Sequence, residues 1–249
     1  MKLKGKKIVV TGGSGLIGSN LVDKLIKLGA EVESWNRENH DIRQIKKLNF
    51  KGVDYVFHLA TKKTGSKEEI YGVNVEGTKN VLEKAIEAEV RKLIYVSTVM
   101  VFEDTGKIEA DEKYSKRKSH TSMYADSKIK ALELINKYIN KSPIIVVYPS
   151  VVLSNVDGLL GSGKIMSLVG TGERVTNYIK VDDLTDLLIK TLLVGKTGEA
   201  YILGGRNIKA GDFWWLGRFI RIPNFVAKFI LGSVPENMCF SSKKINSVG

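Results

Sequence analysis

The sequence predicts a doubly wound, Rossmann-type α/β fold in which helices cover both faces of one parallel sheet. Three observations support this prediction: strand-like and helical segments alternate, the strand-like segment Ile144–Tyr148 is fully apolar, and a glycine-rich turn joins the first strand to the first helix. Uninterrupted apolar strands suit a parallel sheet buried on both faces, and the alternation implies right-handed crossovers. We expect the 249 residues to form a single domain, with substrate-side segments at about 151–175 and 204–249.

The first strand, turn and helix are predicted over Lys7–Leu28. The turn Thr11–Gly18 follows the strand directly, and apolar residues then recur at helical spacing. Such a turn predicts a dinucleotide site, because free N–H groups and the helix dipole face an anion there; the alternative is a glycine turn without a ligand. Gly12 would turn the chain, Gly15 would let a pyrophosphate approach, and Gly18 would let the helix lie close to the sheet.

The later elements continue the alternation. Strands are predicted at Glu31–Trp35, Asp54–Ala60, Lys92–Ser97 and Ile144–Tyr148, and helices at Val73–Ala88 and Tyr124–Ile139. The apolar stripes of these two helices have two interpretations, contact with the sheet or contact with a second copy of the chain.

Composition limits the class of protein. The single cysteine, Cys239, excludes an internal disulfide, so a reducing cytoplasm is the expected location. The apolar run Ile8–Val10 is too short for a signal peptide, and no run reaches the length of a membrane span. The net charge is +12, but the basic clusters Lys2–Lys7 and Lys113–Lys118 lack interleaved aromatic platforms. We therefore interpret both clusters as solvated faces and expect no nucleic-acid partner.

The end of the second strand bears on the choice of cofactor. A carboxylate at this point would hold a ribose 2′-hydroxyl and favour NAD, whereas a cation would accept a 2′-phosphate and favour NADP. The chain has Asn36-Arg37 there, so NADP is favoured over NAD, the alternative being a surface arginine. Asp41 could accept a hydrogen bond from adenine or cap a short helix at Ile42–Leu48; the sequence leaves both interpretations open.

Candidate catalytic side chains follow the fourth strand. Ser97 and Thr98 present hydroxyls at the carboxyl edge of the sheet, and Tyr124 and Lys128 share one face of a later helix. An ammonium group beside a phenol favours the phenolate and lowers its pKa, so this tyrosine could exchange a proton with an oxygen whose carbon exchanges hydride. His58 has no neighbours at metal-ligand spacing, and we predict that it is packed and that no metal is bound.

Together these segments resemble the extended short-chain dehydrogenase/reductases, which include the NAD(P)-dependent epimerase/dehydratases. The resemblance covers nearly the whole chain and follows the family's order. The similar segments are Thr11–Gly18 (cofactor fingerprint), Val53–Ala60 (third strand), Asn74–Leu82 (central helix), Ser97–Phe102 (catalytic Ser or Thr), Tyr124–Lys128 (YxxxK pair), Tyr148–Val152 (nicotinamide segment), Tyr178–Leu184 (late helix start) and Gly198–Gly205 (last strand).

The resemblance implies roles for individual residues. The implied catalytic residues are Thr98, Tyr124 and Lys128, with Asn74 supporting the active site. The implied cofactor contacts are Gly12, Ser14, Gly15, Leu16, Ile17, Gly18, Arg37, Asp41, Ile42, Leu59, Ala60, Thr61, Ser97, Tyr124, Lys128, Pro149 and Val152. Relatives commonly pair as dimers, so a homodimer is a further expectation.

The chain also departs from the family pattern. Thr176 stands where members that act on nucleotide sugars often carry an arginine, and Tyr148-Pro149-Ser150 replaces their usual Tyr-Phe-Asn. The segment after the fifth strand is short, which argues against a bulky nucleotide-sugar pocket. The aromatic stretch Trp214–Leu231 is interpreted as a packed helix pair, the alternative being an apolar substrate wall or a membrane-surface contact.

We therefore expect an oxidoreductase that uses NADP, or alternatively NAD, and transfers hydride at a secondary alcohol or carbonyl of a small or sugar-like molecule. If the intermediate stays bound and rotates, the same groups would epimerise a nucleotide sugar with no net redox change. A protein of a different class, a cofactor sensor without catalysis, would retain the fold but has no need of Thr98, Tyr124 and Lys128 together.

Overall fold

Six parallel strands form the central sheet of the computed structural model, which describes residues 3–139, 142–153, 166–169, 174–209, 212, 219–222 and 236–248. The strands of the described chain are β1 Lys7–Thr11, β2 Glu31–Trp35, β3 Tyr55–His58, β4 Lys92–Val96, β5 Ile144–Pro149, β6 Val151–Leu153, β7 Met166–Val169, β8 Val175–Lys180, β9 Ala200–Leu203, β10 Arg206–Lys209 and β11 Phe219–Ile222. The helices are α1 Leu16–Lys27, α2 Lys67–Tyr71, α3 Thr78–Glu87, α4 Met123–Asn136, α5 Val181–Val194 and α6 Lys243–Ser247.

The order of the central sheet is β2-β1-β3-β4-β5-β9, and every neighbouring pair is parallel. This confirms the predicted doubly wound, Rossmann-type fold. The strand order reverses between β1 and β3, so a crevice opens beyond the carboxyl ends of these two strands. The glycine turn leaves β1 at this point, and the residues after β3 form the opposite wall.

Helices cover both faces of the sheet. On one face α1 packs against α5, and on the other α3 packs against α4. The apolar stripe of α3 is buried within the chain through Val81, Leu82 and Ala85, which lie between 0% and 1% exposed. These side chains belong to the core between the helix and the sheet, so the sheet-facing interpretation of this stripe is confirmed.

Two predicted helices have different bounds in the structure. The helix expected to begin at Val73 already begins at Lys67, because Ser66 caps it in a reciprocal capping box with Glu69, and it passes through a π-helical turn at Gly72–Gly77. The helix expected at Ile42–Leu48 is reduced to one 3₁₀ turn, Ile45–Lys47.

Smaller sheets lie beyond the central one. Strand β8 pairs with β6 and β10, and β7 pairs with β11. Residues 219–222 are therefore a strand, and the prediction of helix is wrong there; these residues pair in parallel with residues 166–169. The rest of the aromatic stretch lies outside the described residues. Among the described helices, none has the length and apolar character needed to cross a bilayer.

Candidate active site

The turn after β1 is shaped by close backbone contacts. Gly12 adopts a φ of +73°, and a Cβ there would lie 2.8 Å from the Cα and N atoms of Ala60. A Cβ on Gly18 would collide with the carbonyl oxygen of Gly12, so α1 packs directly on the turn. Only residues without a side chain fit these two places, and the crevice between β1 and β3 stays open above them.

Three cavities follow the carboxyl edge of the sheet. The β2 cavity, of about 350 Å³, lies at the end of β2. The central cavity, of about 490 Å³, shares Gly12, Gly15, Leu59 and Thr61 with it. The loop cavity, of about 570 Å³, shares Met100 and Met238 with the central cavity. They form one continuous row of adjoining spaces along the sheet edge.

The structure brings nearly all the predicted site residues to the first two cavities. Those lining the β2 cavity are Gly12, Ser14, Gly15, Arg37, Asp41, Ile42, Leu59, Ala60 and Thr61. Those lining the central cavity are Gly12, Gly15, Leu16, Ile17, Gly18, Leu59, Thr61, Ser97, Thr98, Tyr124, Lys128, Pro149 and Val152.

Asn74 is the predicted residue that lines neither cavity. It is 1% exposed and lies in the π-helical turn. Its Oδ1 accepts hydrogen bonds from the Thr61 hydroxyl and the Lys62 N–H, and its Nδ2 donates to the Lys62 carbonyl and to the Ser127 hydroxyl. Asn74 therefore ties the loop after β3 to α4, and it supports the wall of the site instead of facing the space where a substrate would lie.

The β2 cavity carries an exposed arginine and an aspartate that is held in an ion pair. Arg37 lines the cavity and makes no ion pair with another described residue. Asp41 receives the Arg43 guanidinium at 2.5 Å and the Arg43 N–H at 3.0 Å. This guanidinium holds the pKa of Asp41 below its usual value. Asp41 does not cap a helix, because the 3₁₀ turn begins at Ile45 with Gln44 before it.

Two aromatic rings in the β2 cavity are not predicted from the sequence. The His40 ring stacks on Trp35 with centroids 4.3 Å apart and 7° between the planes. Trp35 is 2% exposed and packs on Phe50, so it fixes the floor of the cavity. The sequence feature that could have indicated these rings is a tryptophan at the end of β2 with a histidine five residues later. This spacing is not specific to dinucleotide sites.

Thr98 and Tyr124 lie together in the central cavity. Thr98 follows β4 and caps a 3₁₀ turn, accepting a hydrogen bond from the Met100 N–H at 3.3 Å. Burial raises the pKa of Tyr124, and hydrogen bonding with the Thr98 side chain lowers it by a smaller amount. The net direction is upward, contrary to the expected lowering by Lys128, so Tyr124 is a protonated phenol at neutral pH.

Lys128 lies beneath the central cavity, one helical turn from Tyr124. Its side chain is 3% exposed, and Nζ donates a hydrogen bond of 2.8 Å to the carbonyl of Val96. Burial lowers the pKa of Lys128 to about 7, because an apolar surrounding disfavours the charged form. The lysine is therefore held against the end of β4 at the cavity floor.

His58 is packed in the core beneath the glycine turn. It is 2% exposed, with Nδ1 2.6 Å from the Thr11 hydroxyl and Nε2 2.9 Å from the Thr78 hydroxyl. The Thr78 hydroxyl donates to the Asn74 carbonyl, so it accepts the proton of Nε2 and leaves Nδ1 to accept from Thr11. Burial, with a smaller effect from the Lys128 charge, lowers the pKa of His58 to about 3.

We expect His58 to make the protein acid-sensitive. Its pKa is depressed in the fold, so the unfolded chain binds one more proton between pH 6.5 and pH 3, and stability falls as the pH drops through this window. In urea unfolding, the free energy of unfolding should fall by about 1.4 kcal/mol more per pH unit below pH 6 in the wild type than in His58→Gln. Equal slopes in the wild type and in His58→Gln would contradict this assignment.

The loop cavity was not predicted. It is lined by Arg117, His120, Arg174 and Glu236 among others. The prediction that Lys113–Lys118 is a solvated face is wrong for Arg117. Its side chain is 14% exposed, pairs with Glu103 and Glu236, and donates a hydrogen bond of 2.7 Å to the Phe102 carbonyl. A run of basic residues in the sequence does not reveal that one of its side chains points into the protein.

Comparison with known proteins adds to this geometry. The profile of the NAD dependent epimerase/dehydratase family matches residues 8–204. A bovine (Bos taurus) dTDP-D-glucose 4,6-dehydratase is 28% identical over 244 residues, which covers 80% of this chain and 68% of the relative. A 3beta-hydroxysteroid-dehydrogenase/decarboxylase (isoform 1) of Arabidopsis thaliana is 26% identical over 258 residues, covering 83% of this chain and 58% of the relative.

Solved structures agree in fold. A UDP-glucose 4-epimerase of Thermus thermophilus, solved in complex with NAD, superposes with a TM-score of 0.77 at 20% identity, over 97% of this chain and 92% of that one. At this identity the likeness shows the fold, whereas the family profile covers most of the sequence. The chain therefore belongs to the NAD dependent epimerase/dehydratase family, whose relatives named above are enzymes.

Proposed function

We propose that this protein is an NADP(H)-dependent oxidoreductase that acts on a secondary alcohol or carbonyl of a small or sugar-like molecule. The observation that carries the proposal is the convergence of Thr98, Tyr124 and Lys128 on one cavity that adjoins the glycine turn. The residues present fit a dinucleotide. A side chain at position 12 would fill the crevice over the glycine turn, and this crevice joins the β2 cavity to the central cavity.

The side chains support a reductive direction. A bound nicotinamide dinucleotide would supply the hydride. Tyr124, whose pKa is raised by burial, keeps its proton at neutral pH and can donate it to the oxygen of a substrate carbonyl. The Thr98 hydroxyl orients the same oxygen, and Lys128 supplies positive charge beneath it. The product would be an alcohol, with the carbon receiving hydride and the oxygen receiving the tyrosine proton.

The end of β2 supports a preference for NADP. Asn36 closes the turn after β2 by accepting hydrogen bonds from the N–H groups of Glu38 and Asn39. Among the described residues that line the β2 cavity, the carboxylate is that of Asp41, and it is paired with Arg43. Arg37 stands without such a partner in the described chain and can form two hydrogen bonds to a phosphate. Among the described residues, the cavity therefore offers the ribose an arginine outside any ion pair and a carboxylate that is already paired.

We expect Arg37→Ala to weaken NADPH binding by about 10- to 100-fold, because the variant loses a charge-assisted hydrogen-bonded pair with the 2′-phosphate. NADH binding should stay nearly unchanged, because NADH has no 2′-phosphate. Fluorescence titration with both cofactors measures this. Arg91→Ala is the matched control, since Arg91 pairs with Asp54 outside the three cavities. Equal weakening of both cofactors would contradict the assignment of Arg37.

The proposed activity is tested by incubating the protein with NADPH and a panel of ketones, aldehydes and nucleotide sugars. Substrate-dependent oxidation of NADPH with formation of the alcohol supports it. Inversion of a sugar hydroxyl without net oxidation would support an epimerase instead. Tight cofactor binding with no turnover on any substrate would favour a cofactor sensor and contradict the proposal.

A further inference from the structure

Lys128 is a buried ammonium without a carboxylate partner in the described part of the chain. It is 3% exposed, and the one hydrogen bond that its Nζ makes within the described residues is to the carbonyl of Val96. Taking an ammonium group out of water is costly unless other groups compensate for its charge. One neutral carbonyl compensates only in part, so a second source of stabilisation is needed.

The ring of Tyr95 faces this ammonium. The centroid of the ring lies 4.7 Å from Nζ, within the range in which an aromatic face attracts a cation. Tyr95 is 0% exposed, so the contact is shielded from water, where such a contact is strongest. The hydroxyl of Tyr95 is buried and has no hydrogen-bond partner among the described residues. The phenol group therefore interacts with Lys128 through its ring.

The other titratable groups around Lys128 in the described part of the chain do not supply negative charge at neutral pH. His58, from β3, packs on the Tyr95 ring with centroids 5.8 Å apart and is held neutral chiefly by its burial, while its ring nitrogens hydrogen-bond to the hydroxyls of Thr11 and Thr78. Tyr124 on the same helix and Tyr148 on β5 both have pKa values raised by burial. A neutral His58 matters here, since a second cation next to Tyr95 would oppose the charge of Lys128.

We propose that the aromatic ring of Tyr95 is a positioning element that keeps Lys128 protonated beneath the central cavity. The value of this for catalysis rests on the proposed function, whereas the contact itself does not. Because burial brings the pKa of Lys128 to about 7, a modest stabilisation of the cation decides whether the site carries a positive charge at neutral pH. Removing the ring should leave the lysine largely neutral under the conditions in which Tyr124 must act.

The pKa of Lys128 can be measured directly by NMR on the full chain with lysine isotope-labelled at Cε, and Lys128→Met identifies its signal. Tyr95→Phe, which keeps the ring, should leave the pKa nearly unchanged. Tyr95→Leu, which removes the ring, should lower it by about one unit. Phe57→Leu removes a buried ring on the neighbouring strand that packs in the other core and should have no effect on Lys128.

The proposal is overturned if Tyr95→Leu, folded as judged by circular dichroism, leaves the pKa of Lys128 unchanged, or if Tyr95→Phe lowers it as much as Tyr95→Leu. If Tyr95→Leu does not fold, fluorinated phenylalanines at position 95 keep the size of the ring while weakening its negative face. A stepwise fall in the pKa with fluorination supports the proposal, and a constant pKa contradicts it. None of these measurements needs a substrate, so they are independent of the turnover tests above.

Discussion

Tyr124→Phe should lower turnover by about 10²- to 10⁴-fold, the usual contribution of a positioned general acid. The variant loses one hydroxyl and keeps the ring, so the walls of the central cavity stay as they are. Hydride transfer to a carbonyl leaves negative charge on its oxygen, and without the Tyr124 proton this charge is left to the Thr98 hydroxyl and to Lys128. The measurement is the steady-state rate on the substrate identified in the panel, with NADPH affinity taken from fluorescence titration.

The expected pattern is a fall in kcat with little change in cofactor affinity. Tyr138→Phe is the matched control: its hydroxyl contacts Glu83 at 3.4 Å, lines none of the three cavities and should not affect the rate. A Tyr124→Phe variant that keeps most of the wild-type rate would show that another group donates the proton. A fall in cofactor affinity equal to the fall in rate would show that Tyr124 serves binding instead.

The sequence predicts the central sheet well because its signals are local. Strand β2 matches its prediction at both ends, and β3, β4, β5 and β9 differ from theirs by at most two residues at either end. An apolar run with glycine after it is enough to mark a buried strand and its turn. The apolar pattern predicts a start at Val73 for the helix that begins at Lys67, because the first turn of this helix is polar and its start depends on the capping box of Ser66 and Glu69.

The electrostatics of the candidate site could not be predicted in the same way. Spacing places Tyr124 and Lys128 on one helical face, but it does not reveal that Lys128 donates to Val96 and rests on the ring of Tyr95. Desolvation depends on everything packed around a group, so the spacing of Tyr124 and Lys128 alone predicts the wrong direction for the shift in the Tyr124 pKa. The pairing of Asp41 with Arg43 likewise depends on side-chain rotamers that spacing alone does not determine.

The glycine turn offers a second large effect, in stability as well as in binding. Gly12→Ala should lower the free energy of unfolding by about 2–4 kcal/mol: part comes from a positive φ that alanine adopts with strain, and part from overpacking against Ala60. Gly52→Ala separates the two parts, because Gly52 has a φ of +76° but open space around its Cβ position. This control should lose only about 1 kcal/mol in urea unfolding.

The two variants should also differ in cofactor binding. Relief of the 2.8 Å contact between an alanine at position 12 and Ala60 requires β1 and the residues after β3 to move apart at the point where both cavities meet. NADPH titration should therefore show a loss of affinity in Gly12→Ala that exceeds roughly tenfold, of the order expected when a distortion of about 1–3 kcal/mol enters a binding site. Gly52→Ala should bind as the wild type does. Equal losses in the two variants, in stability and in affinity, would mean that backbone strain alone governs the turn and that the approach to Ala60 has no part in shaping the crevice.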